Sequence, residues 1–287
     1  MLSVEIEVFT ALLIFIFVPI TIRFVSANPI TISWFRLFVA TFTMFLWWRK
    51  KLDLRLYFKK EGWRLVLIGI VFSFHWLTYA YAIKTGGPSS CILGMSTYGI
   101  QLMFFGSLML GHHLRKKHYI ALVGVLIGIY LILPGLKNDQ NFTNGFLMGL
   151  LSAFFYSMMP ILHQRTNLYF SGPMRIFSQF FWALIFFSFL FFKTDWSFKS
   201  SDWPGLLFLA FFGTLIAHSL WANATSKLPT YLSGVLYYII TPGALILSHF
   251  IFHEVLSTRQ VIGAVLIIGS AIFNVWSSND IKGQIKS

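Results

Sequence analysis

Residues 231–273, YLSGVLYYIITPGALILSHFIFHEVLSTRQVIGAVLIIGSAIF, constrain this chain more than any other stretch. They hold two apolar runs with one short polar break between them, residues 253–260. Each run approaches the roughly 20 residues that a helix needs to cross a bilayer. Pro242 stands inside the first run. In water a mid-helix proline costs about 3 kcal/mol or more. In a membrane bundle, neighbouring helices can satisfy the freed carbonyl, so a kink there becomes usable.

The rest of the chain is of the same kind. Of its 287 residues, 57% are hydrophobic and only 11% charged, against about 25% charged in an ordinary soluble domain. No water-soluble core absorbs that much apolar surface, so the chain reads as an all-α polytopic membrane protein. The start, MLSVEIEVF, has two glutamates and no basic cluster. It lacks the positive region of a cleavable signal, and the first span is expected to be retained. Cys91 is the only cysteine, which excludes an intrachain disulfide or thiolate cage. The net charge of +13 is better explained by basic loops beside anionic lipid than by nucleic acid, which is not an expected partner.

Charges and turn residues cut the chain into ten expected transmembrane helices, at 8–25, 29–48, 64–84, 87–111, 118–136, 145–165, 174–192, 203–225, 230–252 and 259–277. Lysine and arginine crowd the loops on one side, with Arg49, Lys50, Lys51, Arg55, Lys59, Lys60 and Arg64 in a single loop. The positive-inside rule then places both termini in the cytoplasm. The expected location is the cell membrane, read as a bacterial inner membrane.

A shift of 141 residues brings Pro19 onto Pro160, Pro88 onto Pro229, His112–His113 onto His253–Glu254 and Gly128 onto Gly269. Helices 1–5 and 6–10 therefore read as two copies of one unit. Five crossings per copy invert the second copy relative to the first, a recurring plan among secondary transporters. One sequence plan packed in two conformations gives outward- and inward-open states of similar energy.

The pattern Pro242, Glu254, Gly263, Gly269 resembles the EamA-like branch of the drug/metabolite transporter superfamily. So do Arg36 a few residues after Pro29, the stretch 145–165 and the stretch 213–256. The resemblance implies two EamA-like repeats, at 1–137 and 143–280, around a central cavity lined mainly by helices 1, 3, 4, 6, 8 and 9. The first copy departs from the pattern: Gln101 stands in the place of Pro242, and His113 in that of Glu254. Members carry amino acids, metabolites, nucleotide precursors, organic cations or drugs, so fold does not fix cargo.

Polar groups at mid-span must face protein or water. The candidate substrate-binding residues are His75, Trp76 and Tyr79 in helix 3, Tyr98 and Gln101 in helix 4, Tyr156 in helix 6, His218 and Trp221 in helix 8, and Tyr238 in helix 9. Each has a plainer reading: the histidines can bond a carbonyl across a helix pair, and the aromatics can pack. Trp47, Trp48, Trp63, Trp196 and Trp203 fit interfacial anchors. Pro19, Pro160 and Pro242 are candidate gating kinks, and Arg36 and Glu254 candidate structural groups. Arg36 has three outlets: snorkelling to the surface, a carbonyl, or an anionic group on the substrate. Lys84 reads as a solvated cap. No aspartate or glutamate is expected deep in any span. Adjacent His112 and His113 point about 100° apart on a helix and make no metal site.

These readings converge on a secondary transporter of a small polar metabolite, an amino acid or related zwitterion favoured, working by alternating access. An exporter of bulky organic cations is the first alternative, using aromatic faces worth about 0.5–2 kcal/mol each. An intramembrane enzyme lacks an acid partner for its histidines, so no enzymatic activity is expected. A non-transporting scaffold would leave the polar mid-span residues without a purpose. No phosphate-cradling loop is present, so no nucleotide hydrolysis and no cofactor are expected. The sequence leaves open coupling to protons or a counter-substrate, and a homodimer.

Overall fold

The computed structural model describes residues 3–111, 116–132 and 139–276. The pair His112–His113 lies outside the described residues, as do the outer ends of the two expected repeats. The helices are α1 Val4–Phe24, α2 Pro29–Trp48, α3 Trp63–Met95, α4 Tyr98–Leu110, α5 Lys116–Ile132 and α6 Gln140–Thr166. There follow α7 Gly172–Ser188, α8 Trp203–Ala210, α9 Ala217–Thr225, α10 Thr230–Tyr237, α11 Ile240–Phe252 and α12 Thr258–Trp276. One π-helical turn, Phe211–Ile216, joins α8 to α9. The described residues contain no strand.

Five stretches are long and apolar enough to cross a membrane on their own: Val4–Phe24, Pro29–Lys51, Trp63–Met95, Gln140–Thr166 and Ser200–Thr225. Of the ten expected helices, those at 87–111 and 230–252 are each cut in two. In the first, Ser96 and Thr97 turn their hydroxyls back onto the carbonyls of Leu93 (2.6 Å) and Gly94 (2.9 Å). Such back-bonding competes with the helical ladder. Gln101 Nε2 then donates to Thr97 Oγ1 at 2.8 Å. In the second, Pro242 has no N–H to return to Tyr238. The Tyr238 carbonyl takes the N–H of Thr241 instead, at 3.2 Å. Pro242 thus sits in the first turn of α11, where a missing N–H is tolerated, and not in the middle of a helix. The two breaks fall within one residue of the 141-residue offset, although only one has a proline.

A third interruption lies at Gly87, inside α3, with φ 84° and ψ 167°. Cys91 Sγ is 3.8 Å from the carbonyl of Tyr79. In a straight helix, twelve residues would separate them by about 18 Å. The chain therefore doubles back at Gly87, and Pro88 opens the returning segment. A side chain on Gly87 would also collide with the Glu254 carboxylate. That carboxylate accepts the N–H of Ser89 (3.0 Å) and the hydroxyl of Ser248 (2.6 Å). It satisfies donors that a helix start leaves open.

The packing repeats across the two halves. α3 lies on α6 as α9 lies on α1, α4 on α6 as α11 on α1, and α2 on α8 as α7 on α3. The pairs α2–α7 and α5–α12 join corresponding elements directly, and α4 packs on α10. Even single hydrogen bonds recur: Arg23 Nη1 donates to Lys84 O (3.1 Å), and Gln164 Nε2 to Thr225 O (3.0 Å). Both partners differ by the same 141 residues. Small residues set the closest approaches. An added Cβ on Gly94 would stand 2.6 Å from the Leu150 amide nitrogen, so α3 and α6 touch backbone to backbone. The outer faces stay apolar and exposed, with Phe9, Leu13 and Phe17 on α1 and Val261, Val265 and Ile272 on α12.

Candidate functional site

A narrow cavity lies where the halves meet. Its walls come from both: Arg36 of α2 with His75, Trp76 and Tyr79 of α3, and Tyr156 of α6 with His218 of α9 and Tyr237 of α10. Phe15 and Val18 of α1 and Ile240 of α11 close it. It leaves about 20 Å³ for the centres of water molecules, which is room for one or so.

His75 is fixed from behind. Its Nδ1 stands 2.8 Å from Ser152 Oγ and 3.2 Å from Ser152 O. The Ser152 hydroxyl gives its own hydrogen to His75 O at 3.0 Å. Nδ1 must then be the donor, which leaves Nε2 as an acceptor. The ring stacks on Tyr156 at 4.2 Å between centroids. His218 is held by rings instead, 4.8 Å from Phe15, 5.0 Å from Phe72 and 5.6 Å from Trp76. The Tyr156 hydroxyl is buried with no hydrogen-bond partner among the described residues.

Arg36 neither snorkels nor meets a carboxylate. It is 3% exposed. Its Nε donates to Thr214 Oγ1 at 2.9 Å, and Nη2 reaches Gly213 O at 3.4 Å. Its Cζ lies 4.0 Å above the Trp76 ring. Both oxygen partners belong to the π-helical turn, where Thr214 Oγ1 in turn donates to Leu209 O at 2.7 Å. Among the described residues the sole ion pair is Arg64–Glu61, far along the chain from this arginine. Of its three expected outlets a carbonyl, that of Gly213, is one it reaches, and the side chain also forms part of the cavity wall.

The other expected site residues fall in three places. Tyr98 is fully buried behind the wall, its ring 5.1 Å from Tyr156 and 4.4 Å from Tyr237. Trp221 lines a second, smaller space next to the first, with Pro160, His163, Gln179 and Thr225; Tyr156 and His218 border both. Gln101 and Tyr238 are away from the cavity. Gln101 is engaged with its own helix at Thr97, and Tyr238 packs on Gly99 and the α5–α12 cluster. The break after Tyr237 resets the helical phase, so Tyr237 faces inward in place of Tyr238. Pro19 is buried within α1, Pro160 sits in the second space, and Pro242 borders an apolar groove between α11 and α12.

Polar contacts tie both ends of α1 to the rest of the bundle. Where α1 ends, Lys84 Nζ donates to Val25 O and is half-buried, not the solvated cap expected of it. Asp202 there accepts from the backbone and hydroxyl of Ser26. Where α1 begins, Glu7 is 6% exposed, and both its oxygens accept from Asn223 Nδ2, at 2.7 and 2.9 Å. Glu7 stands in the first turn of α1, at the end of the span and not deep within it. α1 starts at Val4 and not at 8, which draws Glu7 into the bundle. Ser3 followed at once by acids in the first turn is the helix-start signal that marks it. Among the described residues, no cluster of three His, Cys, Asp or Glu stands close enough to hold a metal.

Residues 3–133 and 143–276 each match the EamA-like transporter family. The chain belongs to that family. This EamA-like protein is thus a membrane-embedded secondary transporter of small molecules and not an enzyme. It is 27% identical over 215 residues to the uncharacterized transporter YetK of Bacillus subtilis (strain 168), across 69% of this chain and 62% of that relative's length. It is 22% identical over 224 residues to a probable amino-acid metabolite efflux pump of Salmonella typhimurium, covering 72% and 75% of the two chains. A solved crystal structure superposes over 98% of this chain and 99% of its own, with a TM-score of 0.70 and 16% identity. That likeness concerns the fold.

Proposed function

We propose that this EamA-like protein moves a small polar metabolite, an amino acid or related zwitterion, across the cell membrane by alternating access. The chain makes ten crossings as two inverted five-helix repeats, with both termini in the cytoplasm. The observation that carries this reading is the cavity at the seam, with walls drawn from both repeats. It is too small for an amino acid as it stands, so cargo requires the halves to part on one side or the other. The matched pairing of α1–α9 with α3–α6, and of the other helix pairs, supports an axis that exchanges the halves. The breaks in both repeats, one of them flanked by the wall residues Tyr237 and Ile240, supply joints at which half-helices can move. The description of the Salmonella relative as a probable amino-acid metabolite efflux pump favours the same cargo class.

Counterflow of labelled amino acids into proteoliposomes preloaded with unlabelled ones tests it. Saturable exchange above protein-free vesicles is expected. Folded protein with no saturable exchange of any amino acid or small metabolite refutes it.

A further inference from the structure

We propose that Arg36 is the recognition residue for a single carboxylate, and that the cargo is a small monocarboxylate-bearing metabolite and not a permanent cation. The inference rests on the transport reading of the same cavity and names the chemistry recognised there. Its first support is an imbalance of charge. A guanidinium taken out of water carries a desolvation penalty of several kcal/mol unless paired. The two buried carboxylates among the described residues are engaged elsewhere, Glu7 by Asn223 and Asp202 by Ser26, as is the half-buried Glu254, by Ser89 and Ser248. None of them lines the cavity.

The second support is geometry. Nε and Nη2 are occupied by the π-helical turn through Thr214 and Gly213. Those two bonds use one edge of the guanidinium and hold it in place. They leave the Nη1–Nη2 edge, a fork of parallel N–H donors that matches a carboxylate. The buried, unpartnered Tyr156 hydroxyl on the same cavity supplies a further donor. With one arginine in the wall, a monocarboxylate neutralises the site, whereas a doubly charged phosphate would leave a bare negative charge among rings. The Trp76 ring is already covered by Arg36, and the Tyr237 ring on the cavity wall remains for an apolar group or an ammonium. A permanent cation without a carboxylate would instead add a second uncompensated positive charge beside Arg36.

The test compares three probes of one skeleton as competitors of amino-acid counterflow: L-leucine, isopentylamine, which lacks the carboxylate, and 4-methylpentanoate, which lacks the amine. The alanine and phenylalanine triplets are run in parallel. The acids and amino acids should compete, and the amines should compete about 30-fold less well or worse. Arg36→Gln should weaken competition by the acids by a similar factor. Arg36→Lys, which keeps the charge and loses the fork, should fall between and serves if the glutamine variant does not fold. Amines competing as well as their amino acids, or Arg36→Lys matching the parent, overturn the proposal. If the parent shows no counterflow, the transport reading fails and acetate decides the anion site alone. A rise in melting temperature with sodium acetate, over sodium chloride at equal ionic strength, should be saturable in the parent and reduced in Arg36→Lys. Equal shifts in both proteins overturn the assignment.

Discussion

The hydroxyl of Tyr156 is buried beside the cavity with no hydrogen-bond partner among the described residues. An unsatisfied buried polar atom costs about 1–3 kcal/mol, so a pure packing role would select phenylalanine. Tyr156→Phe should leave the melting temperature unchanged or raise it, while weakening substrate half-saturation several-fold in counterflow. A drop in melting temperature with unchanged transport would show that the hydroxyl serves the fold. Glu7 is the opposite case, since both its oxygens are used by Asn223. Hydrogen bonds to a charged group are worth about 1.5–3 kcal/mol. Glu7→Ala should destabilise by about that much, and adding Asn223→Ala should cost little more, because the pair is one unit. Additive losses in thermal unfolding would separate the two residues.

Among the elements, the glycines offer a contrast that a melting curve can read. Gly87 has a positive φ, and Glu254 presses against it. Gly87→Ala should cost about 1–3 kcal/mol. A Cβ on Gly269 meets nothing within 4 Å, and Gly269 lies within α12. Gly269→Ala should be neutral or stabilise by up to about 1 kcal/mol. Equal effects at the two sites would refute the hairpin account of Gly87.

Much at this scale was legible in the sequence, because length and hydropathy report burial in lipid directly. The boundaries of α2, α6 and α12 lie within a few residues of those expected. What escaped was phase. Hydropathy does not show where a helix stops and restarts, so the adjacent tyrosines 237 and 238 could not be told apart, and Gln101 stood as a cavity residue when it bonds the break. Arg36 was visible as a charge in an apolar run, but its direction depends on a π-helical turn nearly 180 residues away in sequence. Tertiary contacts of that range leave no local pattern.

For the molecule as a whole, the topology can be probed because its one cysteine, Cys91, is buried. In a Cys91→Ser background, single cysteines at Lys60 and Ser200 should report opposite sides. A membrane-impermeant maleimide added to intact cells should label position 200 and spare position 60 until the cells are opened. Labelling of both from outside would break the proposed ten-crossing arrangement.

The two interrupted helices are not equivalent. Near Thr97 the rupture is held by hydroxyl and amide side chains, whose bonds can be exchanged for an unbroken helical ladder. At Pro242 the ladder lacks a hydrogen and can never be rejoined. A carrier with one mendable hinge and one permanent hinge should not open its two faces with equal ease. One open side should be favoured over the other, and that bias would be written in the unlike chemistry of its two copies.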